Sequence, residues 1–177
     1  MDPTLQWGIP ILVGILTFFA GRAFERHKLA QANRLALLQP IEKWVDDASH
    51  LVGIVGDDLS AVTEGLPLPL GFDPQDRQLT AKALGERKDK ILGILKSKAL
   101  STRGTKRLSN RLQALVIALN QTIERDYLQI HVDLLDKMNA KKDLRPAITA
   151  LLATTYTINS IIQEIHSCLS TLKTRFN

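Results

Sequence analysis

The sequence predicts an all-α protein: a single N-terminal transmembrane helix followed by a cytoplasmic antiparallel helical bundle of about four helices. Aromatic residues make up only 5% of the 177 residues, which disfavours an all-β domain because strands draw on Tyr, Phe and Trp. The apolar residues are mostly Leu, Ile and Ala, and they recur at helical spacing. We expect a tip and membrane helix at 1–21, a juxtamembrane helical stalk at 22–40 and the bundle at 41–177.

The membrane helix is predicted from a charge-free run whose core, residues 7–20, reads WGIPILVGILTFFA. A bilayer core needs about 20 apolar residues, so this run is at the short end of the usual range. The basic residues Arg22, Arg26 and Lys28 follow the run, whereas only Asp2 precedes it. Basic residues stay on the cytoplasmic side, which predicts a single-pass membrane protein with its N-terminus outside and its C-terminal domain cytoplasmic.

Two other interpretations of this run remain open. A cleaved signal peptide needs a positive start and a small-residue cleavage site, but the leading charge is acidic and Arg, Phe and Glu follow the run. A buried core helix of a globular protein is the second alternative, because the run is short and is interrupted by Pro10 and Gly14. The membrane span is the interpretation that we favour.

One face of the predicted membrane helix carries small residues. Such a stripe lets helix backbones approach closely, which is how membrane helices associate. The sequence therefore predicts a homo-oligomer, although glycine is also simply common in membrane helices. The predicted stripe consists of Pro10, Gly14, Thr17 and Gly21.

The rest of the chain predicts four amphipathic helices. Pro40 should kink the first of them or begin a new helix, because proline lacks an N–H group. A stiff Pro- and Gly-rich loop is expected at 65–74, and Gly104 should end the second helix. The three later helices are predicted at about 76–98, 105–138 and 144–175. Short connections between them favour an up-down antiparallel bundle.

The last helix contains an uncharged stretch at 146–163. Its many Thr, Ser and Asn residues disfavour a second membrane span, because polar groups in hydrocarbon need partners. We predict instead a bundle helix with a neutral outer face. That face either touches another copy of the chain or is a Thr-rich surface in contact with water.

The strongest local signal is a basic turn at 96–111, KSKALSTRGTKRLSNR, which contains no acidic residue. Hydroxyl groups, glycine and the free N–H groups of a helix N-terminus favour anion binding, and flanking cations strengthen it. A solvated basic turn is the alternative. The residues of the candidate anion site are Lys96, Lys98, Ser101, Thr102, Arg103, Gly104, Thr105, Lys106, Arg107 and Arg111.

Sequence motifs of catalysis are absent from this chain. It has no HExxH, no GxSxG and no nucleoside-triphosphate P-loop, and its one cysteine, Cys168, excludes a Cys-based metal site. We therefore expect no enzyme activity, no metal and no cofactor. The net charge of +5 indicates anionic partners, such as acidic lipid or a nucleotide-like ligand, and we expect no double-stranded nucleic acid among them.

These patterns lead to one leading hypothesis and two alternatives. The leading hypothesis is a membrane-anchored helical-bundle interaction protein, homo-oligomeric, that presents its cytoplasmic domain to a protein partner. The first alternative is a ligand-gated membrane effector for signalling, in which an anionic nucleotide-like ligand docks at the basic turn and reorders the bundle. The second alternative is a small accessory subunit of a larger membrane complex.

Overall fold

The structure, a computed structural model, describes residues 3–63, 74–140 and 142–176, with side chains described except at 3–16, 54–63, 74–78, 135, 138 and 139. Within these ranges it is helical and contains no strand, which confirms the all-α prediction with about four bundle helices. The predicted loop at 65–74 lies, except for Pro74, outside the described residues. The helices are α1 (Pro3–Ala36), α2 (Gln39–Thr63), α3 (Pro74–Lys96), α4 (Lys106–Gln121), a π-helical segment (Thr122–Tyr127), α5 (Leu128–Asn139) and α6 (Arg145–Phe176).

The junction between α1 and α2 lies at the predicted proline. α1 ends at Ala36, and α2 begins after a two-residue turn, so that Pro40 lies in the first turn of the new helix. Proline is tolerated there because the first N–H groups of a helix have no partner within the helix. The turn also brings Leu38, which is fully buried, into the core of the bundle. Pro40 therefore separates a projecting helix from the first bundle helix.

The bundle consists of four helices: α2, α3, the continuous helix from α4 through α5, and α6. α2 packs on α3 and α6, and α4 packs on the same two helices, so that they enclose one apolar core. Ser109 on α4 donates a hydrogen bond to the carbonyl of Leu95 near the end of α3. Gly85, further back on α3, lies against Glu124 beyond the end of α4. α3 and α4 are therefore antiparallel.

α6 is also antiparallel to α4. Arg175, near the end of α6, donates a hydrogen bond to the carbonyl of Gly104 just before α4. One and a half turns into α4, Arg111 pairs with Glu164, which lies three turns before the end of α6. The ends of α1, α3 and α6 and the starts of α2 and α4 therefore meet at one end of the bundle, which we call the base.

Two buried aromatic side chains connect α2 to the other helices. Trp44 is 1% exposed, and its indole Nε1 donates a hydrogen bond to the carbonyl of Leu84 on α3 at 2.9 Å. Tyr127 is fully buried, and its hydroxyl donates to the carbonyl of Leu51 on α2 at 3.3 Å. Each ring fills core volume while its polar atom has a partner, which burial of Trp and Tyr requires.

The continuous helix from α4 through α5 contains a feature that the sequence did not predict. Its six-residue π-helical segment has a wider turn than the α-helix, and such segments often occur at functional sites. In this segment Ile123 and Tyr127 are buried, whereas Glu124 is exposed. A Cβ atom built on Gly85 would lie 2.6 Å from Glu124 Oε1, so a larger residue there requires the exposed Glu124 side chain to move.

The N-terminal part of α1 stands apart from the bundle. Every side chain described from residue 17 to residue 30 is exposed, and α1 packs on α6 only near its own C-terminal end. In the described parts of the helices, no segment is both long enough and apolar enough to cross a membrane. The side chains of residues 3–16, which form most of the predicted span, lie outside the described residues. The structure therefore gives no support to the predicted membrane span, which stays a prediction.

Cys168 lies in the core on α6 and is 4% exposed. Burial raises the pKa of its thiol, and Arg111 offsets this only in part. Because the thiolate is the reactive form and the side chain is buried, we expect Cys168 of the folded chain to react with a disulfide reagent at pH 7.5 several-fold more slowly, at least, than in 8 M urea. Stopped-flow absorbance measures both rates. Equal rates would contradict the buried position of this thiol.

Candidate functional site

The basic turn forms the connection from α3 to α4 at the base of the bundle. Its cations at 96, 98, 103, 106, 107 and 111 are all exposed. Arg111 nevertheless leaves the predicted cluster, because its guanidinium pairs with Glu164 on α6 at 2.5 Å. The hydrogen bond from Arg111 and the charge of Glu164 raise the pKa of Arg111. Over the described residues, the other five cations form no ion pair with a carboxylate.

The two threonine hydroxyl groups of the turn already have partners within it. Thr105 is buried, and its Oγ1 donates to the carbonyl of Leu100 at 2.6 Å. Its oxygen accepts a bond from the Thr102 N–H at 3.2 Å and lies 2.8 Å from Thr102 Oγ1. A hydroxyl has one hydrogen, so Thr102 is the donor of that last bond. These bonds fix the turn, and they leave neither threonine hydrogen for an anion.

Two arginines from other helices reach the same place. Arg34 comes from the last turn of α1 and Arg175 from the last turn of α6. Together they line an open cleft of about 330 Å³, which we call the base cleft. Neither arginine belongs to the anion site that the sequence predicts. The residues that line the base cleft are Arg34, Thr102, Gly104, Thr105, Arg175 and Phe176.

Both arginines are held in position by neutral groups. The guanidinium of Arg34 lies over the ring of Phe176, 5.7 Å from its centre, and Arg175 Nη1 donates to the carbonyl of Gly104. In the described part of the chain, neither arginine forms an ion pair, and no carboxylate lines the cleft. The carboxylate of Glu42, at the start of α2, pairs with Lys173 at 2.5 Å and not with either arginine of the cleft. The base cleft is therefore cationic.

No known protein family, curated protein or solved structure matches this chain. Among the described residues, no group of three or more His, Cys, Asp or Glu side chains is placed to hold a metal ion. The function therefore has to be inferred from the chemistry of this chain's own residues.

The predicted small-residue stripe lies only partly within the described side chains. Pro10 and Gly14 are outside them, whereas Thr17 and Gly21 lie on the exposed part of α1. Gly21 forms the floor of a surface groove of about 370 Å³, and a Cβ atom built on it meets nothing within 4 Å. A larger side chain at Gly21 therefore causes no clash within one chain. It would occupy only space outside the helix, where a second helix could pack.

The same part of α1 carries bulky apolar side chains beside cations. Phe18, Phe19 and Phe24 are 61–64% exposed. Arg22 lies over the ring of Phe18 at 5.6 Å, and Lys28 lies over that of Phe24 at 4.6 Å. Each cation is one helical turn after its phenylalanine and reaches back towards the N-terminus of α1 to cover the ring. Aromatic rings beside cations are typical of the boundary between an apolar and an aqueous medium.

The outer face of α6 is exposed and uncharged over about four turns, and Tyr156 on it is 73% exposed. Thr149 and Thr157 donate their hydroxyl hydrogens to the carbonyls four residues earlier in their own helix. Such bonds use the hydroxyl hydrogens within the helix, so the face offers fewer hydrogen-bond donors than its composition indicates. The residues of this α6 outer face are Thr149, Leu152, Ala153, Tyr156, Ser160 and Gln163.

Proposed function

We propose that this chain is a membrane-anchored, self-associating helical-bundle protein whose α1 holds it in the bilayer and whose bundle makes contacts with protein on the cytoplasmic side. The observation that carries this proposal is the exposure of α1. From residue 17 to residue 30 the helix has no bundle surface against its side chains, although the sequence just before it is apolar. Such a helix needs an apolar medium or another helix.

The energetics favour an anchor over a free arm in water. An isolated helix is marginally stable in water, because its stability in proteins comes mostly from packing. Each exposed phenylalanine at 18, 19 and 24 gains about 1.5–3 kcal/mol when it is fully buried in an apolar environment. Arg22, Arg26 and Lys28 then lie at the headgroups, and the excess of basic residues places the bundle in the cytoplasm.

Self-association is supported by the space at Gly21 and by the α6 outer face. The open groove at Gly21 allows the backbone of a second α1 to approach closely. The α6 outer face carries no charge, so it can meet the same face of a second copy without opposing like charges. We assign both surfaces to contacts between copies of the chain, and the rest of the bundle surface is left for other proteins.

We expect the detergent-solubilised chain to be a discrete homo-oligomer, and the variant Gly21→Leu to be reduced to monomer or to the next smaller assembly. The leucine side chain occupies the space that the neighbouring helix needs. Light scattering corrected for detergent measures the mass. Ala23→Leu is the matched control, because it adds the same side chain on the opposite, exposed side of α1.

Three results would count against the proposal. A wild-type chain that is monomeric contradicts self-association. If the Gly21→Leu variant keeps the wild-type mass, the small-residue stripe is not the contact between copies. Equal loss of mass in Gly21→Leu and Ala23→Leu shows that any added bulk on α1 has the effect, and that Gly21 is not special.

A further inference from the structure

We propose that the base cleft binds a phosphate group, which Arg34 and Arg175 hold between α1 and α6. Every residue that carries this inference lies at the base of the bundle, and only the choice between a dissolved phosphate and a lipid headgroup rests on the proposed membrane anchor. Two helices, α1 and α6, and the loop before α4 line the base cleft. The bound group is identified from the chemistry of the side chains that face it.

Arginine is the side chain best suited to phosphate. Its planar guanidinium presents donors in a fork that matches two phosphate oxygens, and it stays charged at every physiological pH. In the described part of the chain, Arg34 and Arg175 lack a carboxylate partner. Their present contacts, a ring face and one backbone carbonyl, leave most of their N–H donors available.

The size of the base cleft limits the ligand. At about 330 Å³ it is at the lower end of the range for small-molecule sites. The opening is flanked by the basic turn, where Arg103, Lys106 and Arg107 are exposed and add to the positive field. The chemistry therefore fits a phosphate or a compact phosphomonoester, whose remaining charge faces these outer cations.

A dissolved phosphate reaches the cleft more easily than a lipid headgroup. Arg34 is 14 residues beyond Ala20, the end of the apolar run, and the helix between them is continuous, which gives a separation of ~21 Å. The headgroup layer on one side of a bilayer is only ~5–8 Å thick. We therefore assign the site to a soluble phosphate compound, and the experiment separates the two sources.

Binding at this place also has a mechanical consequence. α1 meets the bundle through α6, and Arg34 and Arg175 belong to these two helices. A dianion between the two guanidinium groups joins the helices by charge-assisted hydrogen bonds, which are the stronger kind. The ligand therefore fixes the angle at which α1 leaves the bundle.

The test is a calorimetric titration of the full-length chain, in neutral detergent, with inorganic phosphate. We expect binding to the wild type, and a loss of affinity of at least about tenfold in Arg34→Gln and in Arg175→Gln, since a hydrogen bond to a charged group contributes about 1.5–3 kcal/mol. Arg26→Gln on α1 and Arg125→Gln on the π-helical segment are the matched controls. Both remove one exposed positive charge away from the cleft, and affinity should change less than about twofold.

A second titration uses dioctanoyl phosphatidate as the lipid probe. If only phosphatidate binds, and both cleft variants lose this binding, the cleft is a phosphate site whose ligand is a lipid headgroup and not a dissolved compound. If neither probe binds, or if the cleft variants bind like the controls, the proposal is overturned. Thermal unfolding without ligand shows that Arg34→Gln and Arg175→Gln are folded, and the two variants come from different helices, so one unfolded variant leaves the other as the test.

Discussion

Replacement of Trp44 by alanine is expected to lower the free energy of unfolding of the bundle by about 3–5 kcal/mol. The indole ring is 1% exposed and lies in the core between α2 and α3. Its removal leaves a cavity, and it also leaves the carbonyl of Leu84 without the hydrogen bond that Nε1 donates at 2.9 Å. A domain is stable by only about 5–15 kcal/mol, so this one change removes a large fraction of the total.

Urea unfolding followed by circular dichroism measures this loss. Trp44→Phe separates the two contributions, because it keeps most of the ring volume but removes the donor. It should therefore lie between the wild type and Trp44→Ala. Leu79→Ala is the control for an apolar truncation on the surface, because Leu79 on α3 is 63% exposed, and it should change stability by less than about 0.5 kcal/mol. Equal unfolding midpoints for Trp44→Ala and Leu79→Ala would mean that Trp44 is not part of the core.

The helices were predictable wherever a local signal marks their ends. The predicted ranges 105–138 and 144–175 differ by one residue at each end from Lys106–Asn139, the range of α4 to α5, and from Arg145–Phe176, that of α6. Pro40 marks the break between α1 and α2, because proline lacks a donor. Gly104 lies in the connection between α3 and α4, but α3 already ends at Lys96, so Gly104 does not end it as predicted. Apolar residues at helical spacing then identify the buried faces, since helical periodicity is a property of the local sequence.

The candidate site was predictable only in part, because its decisive contacts join distant parts of the chain. The basic composition of the turn identified the region, but Arg111 pairs with a residue 53 positions away and so leaves the cluster. Arg34 enters the cleft because α1 packs on α6, and no sequence pattern shows this. The use of the Thr105 hydroxyl within the turn depends on a backbone conformation that composition alone does not determine.

The π-helical segment also escaped prediction, for a related reason. The apolar spacing through 122–127 fits an α-helix, so nothing in the local pattern indicates a wider turn. The segment is stabilised by non-local contacts: Tyr127 reaches the carbonyl of Leu51, and Gly85 on α3 leaves room for Glu124. The local pattern therefore predicts that a helix is present, and tertiary packing selects its exact geometry.

Deletion of residues 1–20 is expected to release the chain from membranes almost completely while leaving the bundle as stable as before. The deletion removes the apolar run and two of the three exposed phenylalanines, which supply the proposed membrane affinity. The bundle core lies elsewhere, since no buried residue precedes Leu38 among the described side chains. Flotation with neutral phosphatidylcholine vesicles measures the association, and urea unfolding measures the stability of the bundle.

Two comparisons make this result decisive. A chain in which residues 1–20 are replaced by an unrelated apolar membrane helix should float with the vesicles again, because anchoring needs apolar length and not a particular sequence. The same chain should lose the oligomeric mass that depends on the small-residue stripe, because the replacement removes Pro10, Gly14 and Thr17 and leaves Gly21 alone. A full-length chain that stays with the soluble fraction, or a truncated chain that still floats, contradicts the anchor. In that case the exposed phenylalanines of α1 must be buried by protein instead, because an unpartnered apolar helix is not stable in water.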